Sequence, residues 1–215
     1  MTRLATYESR MVAVLAARPA LARAVIARLP RALAHRVHPE VRALRDLRRL
    51  HGLSRRRPGP PPRVRIGRPE PAAELRRHYA DAQRRFGVGW HVLTAVNYVE
   101  TRFGRYRSES ISGARGPMQF MPATWRAYGL GGDVRDPRDA IMGAANYLRA
   151  SGAPRNYARA LHAYNPSDLY VDAVLSYARV MAQRPKAFHE LYAWQVYARD
   201  EGRAERRLTG PGAEG

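Results

Sequence analysis

At 215 residues with 45% apolar side chains, the chain can bury one substantial core and carry an appendage. It has no cysteine, which excludes a disulfide framework, a thiolate metal site and a thiol nucleophile. The formal charge of +20 is carried almost wholly by arginine, with Lys186 the single lysine, and charge alone selects no partner.

The charge is uneven along the chain. Residues 1–71 hold 17 arginines against Glu8, Glu40, Asp46 and Glu70, and the remainder holds 21 basic against 14 acidic residues. Residues 1–53 are expected to form a basic arm of short amphipathic helices, because small apolar residues alternate with arginines at roughly helical spacing. Residues 54–71, SRRRPGPPPRVRIGRPEP, are proline-rich and predict an extended linker. The arm admits three readings: solvated helices packed on the main domain, a surface for anionic lipid or anionic wall polymer, or a nucleic-acid contact. The composition speaks against the last, because the arm lacks helix-turn-helix spacing, zinc ligands and interleaved aromatics. An export signal is not clearly visible, since the apolar run from Met11 to Ala17 is soon broken by Arg18, Pro19 and Arg23. No segment has the roughly 18–20 apolar residues a bilayer crossing needs.

From Pro71 onward the pattern predicts successive helices in a mainly α domain over residues 72–207. Leu75, Tyr79, Ala82 and Phe86 share a face, and Gly87 ends that helix. A second helix starts near Trp90, with Leu93, Val96 and Glu100 at spacings of three and four. Asp136 and Pro137 predict an N-cap and first helical position for a helix through Ala150. Helices over 157–164, 169–182 and 187 to about 203 complete the domain, and the glycine-rich tail, residues 208–215, is expected to be disordered.

Glu100 is the one acid in the central apolar helix, flanked by Val96, Val99 and Phe103. Its residue type and place leave two readings. It is either a helix-end glutamate paired with Arg102 or Arg105, or a carboxylic acid that apolar neighbours keep protonated. The second is what breaking a glycosidic bond requires, because the leaving oxygen must receive a proton as the bond breaks.

The order of residues after Glu100 decides between them by resemblance. Ser110 follows about ten residues later, then Gly113-Ala114-Arg115-Gly116, Pro117, Met118-Gln119, Phe120-Met121 and Pro122. Further on come Tyr164-Asn165 and Tyr170-Val171. This sequence resembles the lytic transglycosylase domain family, the soluble lytic transglycosylase and goose-type lysozyme-like group, most clearly over residues 86–184. The resemblance implies a lysozyme-like helical catalytic domain acting on peptidoglycan. It implies Glu100 as acid/base, Ser110 as a polar contact near the reacting sugar, Met118 and Gln119 as groove lining, and Tyr164, Asn165 and Tyr170 as further substrate-site residues. Tyr164 is expected nearest to Glu100. Core packing is the competing role for at least one of Met118, Phe120 and Met121, Asn165 could equally serve the turn before Pro166, and Tyr170 is either a site residue or a packed aromatic at a helix start. The family commonly has Ala-Gly and a longer loop where this chain has only Pro166-Ser167-Asp168, which leaves one wall of the groove open or differently supplied.

Glu109 and Asp168 are the only candidates for a second acid, and both are better explained as solvated. The resemblance therefore implies single-glutamate chemistry, with attack by the muramoyl C6 hydroxyl and a 1,6-anhydro product. Hydrolysis of the muramidase type is the alternative, and a non-catalytic wall- or polyanion-binding protein is the alternative from another class. No cofactor or metal is expected: Asp133, Asp136 and Asp139 lack the EF-hand order and suit turn and cap roles, and the seven histidines are scattered. Work on peptidoglycan implies a place outside the cytoplasm, in the cell wall or periplasm.

Overall fold

The computed structural model describes residues 2–54, 65–193, 197–198 and 206–207. The protein is mainly α. Three helices form the front part: α1 (Thr2–Ala17), α2 (Pro19–Ile26) and α3 (Arg31–Ser54). They are followed by α4 (Ala72–Phe86), α5 (Trp90–Thr101), α6 (Pro122–Tyr128), α7 (Pro137–Ala150), α8 (Tyr157–Tyr164), α9 (Asp168–Gln183) and α10 (Ala187–Tyr192). A two-residue antiparallel pair, β1 (Tyr197–Ala198) with β2 (Arg206–Arg207), comes last.

Helix α5 is the axis of the core. Every residue from Val92 to Val99 is buried, as expected of a helix enclosed on all sides. Around it pack Tyr79 and Ala82 of α4, Ile141 and Leu148 of α7, Leu161 of α8, Val174, Tyr177 and Met181 of α9, and Phe188 of α10. The polar residues that α5 buries are satisfied locally or across the core. Thr94 Oγ1 donates to the Trp90 carbonyl at 2.6 Å, and Asn97 Nδ2 donates to the Tyr79 hydroxyl at 2.8 Å.

The punctuation read from sequence is present. Gly87 closes α4 in the left-handed region at φ 70°, its N–H donating to the Gln83 carbonyl at 2.8 Å. Asp136 caps α7 by accepting from the Asp139 N–H at 2.9 Å, with Pro137 in the first turn. Asp139 in turn accepts from the Asp133 N–H at 3.0 Å, so these carboxylates shape the turn before α7.

Three segments depart from expectation. Helix α3 is one 24-residue helix rather than several short ones, and it runs through Pro39 although proline has no N–H to continue the ladder. Tertiary packing outweighs that loss: Val41 and Leu44 join Val12, Leu15, Ala16 and Ala22 in a small core under α1 and α2, while Ala43 and Leu47 enter the main core. Arg42 meets Asp172 at 3.0 Å and Arg184 meets buried Glu40 at 3.1 Å, tying α3 to α9 and the segment after it. The helix expected to run to about Arg203 stops at Tyr192, where Arg105 Nη2 donates to the Tyr192 carbonyl at 2.6 Å and removes it from any continued ladder. Of the proline-rich stretch, residues 55–64 lie outside the described residues. Residues 65–71 are extended and attached: Ile66 bridges Tyr106, and the Gly67 N–H donates to the Arg105 carbonyl at 2.9 Å. The tail, residues 208–215, also lies outside the described residues.

Candidate active site

Glu100 occupies the last turn of α5, and the chain immediately after it is sharply reversed. Arg102, Phe103 and Gly104 have φ of 53°, 63° and 78° in succession. Left-handed backbone costs a non-glycine residue roughly 1–2 kcal/mol, and several contacts hold it here. The Arg102 N–H donates to the Tyr98 carbonyl at 3.0 Å and the Phe103 N–H to the Asn97 carbonyl at 3.3 Å. Thr101 Oγ1 donates to the Pro117 carbonyl at 2.6 Å and accepts from the Gly104 N–H at 2.9 Å, pinning the following loop to the helix end.

This reversal removes both arginines that could have paired with Glu100. Arg102 folds back over the Tyr98 ring, 4.1 Å from its centroid, and donates to the Tyr98 carbonyl at 3.2 Å. Arg105, 4% exposed, stacks on Tyr192 and donates to the carbonyls of Arg102 and Tyr192. Among the described residues Glu100 has no ion pair, so the helix-end pairing open at the sequence level is not formed. Burial pushes its carboxyl up to about 7, and the Tyr170 hydroxyl opposes that rise by favouring the carboxylate. No charged group sets the value. Near neutral pH such an acid holds a proton in a large fraction of molecules and can give it up.

The wall facing Glu100 is aromatic. Tyr164 lies parallel to Tyr170, with ring centroids 6.5 Å apart and planes within 3°. Phe120 meets Tyr164 edge-on at 5.8 Å, and Tyr147 packs on it at 5.6 Å. Burial and the neighbouring Glu100 charge drive both Tyr164 and Tyr170 well above the usual phenol range, so both keep their protons. Their hydroxyls differ in use. Tyr164 donates to the Met118 carbonyl at 2.7 Å, so its hydroxyl proton is not directed at Glu100. The Tyr170 hydroxyl, buried and without a hydrogen bond of normal geometry, is the phenol left to address Glu100.

The loop from Ser110 to Phe120 is built from two tight turns. Ser110 Oγ accepts from the Ala114 N–H at 2.9 Å, and the Gly113 N–H donates to the Ser110 carbonyl at 2.8 Å. Ser110 is exposed, and its hydroxyl proton remains available to donate outward. Arg115 and Phe120 exchange two backbone hydrogen bonds of 2.8 Å. Gly116 between them has φ 74°, and a Cβ there would lie 1.8 Å from the Val134 carbonyl oxygen, so no other residue fits. Gln119, itself at φ 50°, folds its Nε2 onto the Gly116 carbonyl at 3.0 Å. Met118 is fully buried, taking the core role open to it, and it meets the site through its carbonyl. Asn165 ends α8: its N–H donates to the Leu161 carbonyl at 2.9 Å and its carbonyl accepts from the Ser167 N–H at 2.8 Å. Its backbone thus serves the turn, and its partly exposed side chain makes no hydrogen bond among the described residues.

The second-acid candidates stay apart from this chemistry. Glu109 is held by Arg115 at 3.0 Å and Arg135 at 3.6 Å, and Asp168 is exposed in the first turn of α9. Tyr147, Phe120 and Thr101 shape the site without having been singled out for it. Tyr147 flanks the buried face of α7 and had only its position beside Ala144, Ala145 and Leu148 to mark it. Among the described residues, no group of three or more histidine, aspartate or glutamate side chains could hold a metal ion.

A helical domain that holds one desolvated carboxylic acid against an aromatic wall presents a group able to give up a proton near neutral pH. Residues 78–184 match the family described as the transglycosylase SLT domain, and through that region the chain belongs to the lytic transglycosylase family. The membrane-bound lytic murein transglycosylase F of Thiobacillus denitrificans is 35% identical over 81 residues, 38% of this chain and 17% of that protein, so the chain spans less than a fifth of that relative. Two structures of the Escherichia coli lytic transglycosylase SLT35 are similar. The complex with calcium matches at TM-score 0.46 and 16% identity, covering 52% of this chain and 72% of the other. The complex with bulgecin A matches at 0.47 and 15%, covering 68% and 88%.

Proposed function

We propose that the protein cleaves the β-1,4 bond between N-acetylmuramic acid and N-acetylglucosamine in peptidoglycan as a lytic transglycosylase, with Glu100 as its single acid/base. The observation that carries the reading is the lone carboxyl of Glu100, desolvated to about 7 and unpaired with any cation among the described residues. Protonated Glu100 gives its proton to the glycosidic oxygen as the bond to C1 breaks. The resulting carboxylate then takes the proton of the muramoyl C6 hydroxyl as that oxygen bonds to C1, leaving a 1,6-anhydro end and restoring the acid. No water is consumed. The absence of a second carboxylate from the electrostatics of Glu100 supports this over a two-acid hydrolysis.

In this reading Tyr170 tunes the acid, Ser110 and Asn165 offer exposed polar groups to the sugar, Gln119 and Tyr164 shape the groove, and Met118 supports it from the core. Residues 72–207 are the catalytic unit. The arm, residues 1–53, concentrates the protein on a polyanionic wall or membrane surface outside the cytoplasm: Met11, Val14, Leu21 and Leu33 are exposed among its arginines. No helix among the described residues is long and apolar enough to cross a membrane.

The test is mass analysis of fragments released from purified peptidoglycan by the wild type and by Glu100→Gln. Anhydromuramoyl ends that fall by about 10²–10⁴-fold in the variant are expected. Reducing ends would make the enzyme a muramidase, and no release by folded wild type would remove the catalytic reading.

A further inference from the structure

A groove of about 760 Å³ lies between residues 65–71 and the loop that follows α5. Glu100 is not part of its lining. Its outer wall is supplied by residues before the family-matching region 78–184, and that wall is firmly attached. Arg65 and Arg107 are joined by a backbone hydrogen bond of 2.9 Å, the Arg65 N–H donates to Ser108 Oγ at 2.6 Å, and the Tyr192 hydroxyl donates to the Glu70 carbonyl at 2.8 Å. Arg107 crosses Gly67, where a Cβ would lie 2.4 Å from its Nε, and donates to the Arg68 carbonyl at 2.7 Å. The inner wall includes Gly104, Arg115, Gly116 and Pro117. This is the same loop that carries Ser110 and is pinned beside Glu100 by Thr101.

Five arginines line this groove against two glutamates. Glu109 is already shared by Arg115 and Arg135. Among the described residues the guanidinium groups of Arg65 and Arg68 have no partner, and both residues are exposed. Paired planar donors of this kind suit carboxylates, which accept two parallel N–H bonds from one guanidinium. A glycan strand in the site would carry its peptide stems on the muramoyl units, and those stems are short, extended and rich in carboxylates.

We propose that this groove binds the carboxylate-bearing peptide stem of the glycan being cut, with Arg65 and Arg68 as its principal contacts. The assignment rests on the function proposed above.

Two measurements on the full chain test it. Turnover by wild type and by Arg65→Ala/Arg68→Ala is compared on stem-bearing strands and on strands stripped of stems by an amidase, with thermal unfolding as the check on folding. The preference for stem-bearing strands should fall about tenfold in the variant, as expected for losing charge-assisted contacts. An unchanged preference, or none in wild type, overturns the proposal. Free tetrapeptide stem is also titrated into Glu100→Gln, followed by isothermal calorimetry, with poly(glycerol phosphate) as the comparison ligand. Saturable peptide binding that the two arginine substitutions abolish supports the stem. Binding of the phosphate polymer alone, or no peptide binding, overturns it. If wild type cuts neither substrate the transglycosylase reading fails, and the peptide titration still decides the groove.

Discussion

Replacing Glu100 with glutamine removes a carboxyl that titrates at about 7 in the folded protein against an ordinary value of 4.5. The stability difference between the two proteins must therefore depend on pH. Below 4.5 the carboxyl is protonated whether the chain is folded or not, and it imposes no charge penalty. Between 4.5 and about 7 the folded state retains a proton that the unfolded chain releases, so wild-type stability falls as pH rises through that window. Above about 7 the group is ionised in both states and the full penalty is present. The displacement corresponds to about 3 kcal/mol at most, and the partial exposure of Glu100 lowers this to about 2 kcal/mol. For a domain of this size that amounts to about 4–8 °C in Tm. Thermal and urea unfolding of both proteins at about pH 4 and about pH 8 isolates the term, because every other titrating group is common to both. Glu100→Gln should gain on wild type between the two conditions. A difference that is flat with pH, or that reverses, would refute a desolvated acid at this position and the proton donor built on it.

Tyr170→Phe removes the hydroxyl that favours the Glu100 carboxylate, so the alkaline limb of the kcat/KM profile should move to higher pH. A limb that stays or moves down would contradict the role of Tyr170. Tyr164→Phe should instead lose about 1 kcal/mol of stability with its bond to the Met118 carbonyl, and shift the limb less than Tyr170→Phe does. Gly116→Ala should cost about 2 kcal/mol or more, because it sets a Cβ against the Val134 carbonyl oxygen in left-handed backbone. Gly113→Ala, with open space around it, should cost about 1 kcal/mol, and chemical denaturation ranks the two. Leu47→Ala should destabilise by about 2–5 kcal/mol and move the unfolding of the whole protein, since Leu47 enters the main core from α3. A separate early transition would show that the arm folds independently.

Local signals and long-range contacts divide what could be read from the chain. The limits of α4, α5 and α8 were legible because glycine, a three-to-four apolar rhythm and a short connection act within one or two turns. The seven residues of α6 were missed, since Met121 offers no capping side chain and the helix buries no residue that would mark a core face. At the end of α10 the Tyr192 carbonyl accepts from Arg105, 87 residues earlier, and the choice of Met118 by the Tyr164 hydroxyl spans 46 residues. No local pattern encodes either pairing. Residues 65–71 have the composition of a linker, yet they bridge to Tyr106 because the loop after α5 presents an unpaired backbone edge to them.

The same long-range effects decide the character of Glu100. The arginines closest to it in sequence are Arg102 and Arg105, and an ordinary continuation of α5 would leave them free to approach its carboxyl. A guanidinium there would favour the carboxylate, drawing the group back toward 4.5 and emptying it of protons at neutral pH. The left-handed run at Arg102, Phe103 and Gly104 prevents this by turning one arginine onto Tyr98 and sending the other to Tyr192. The backbone strain of that turn is offset by the contacts of Thr101 and by burial of Phe103 against Tyr98 and Phe188. Substitutions that straighten the turn would thus lower the pKa of Glu100 without touching the residue itself, and the direction of that shift distinguishes a loss of cation exclusion from a loss of packing around the acid.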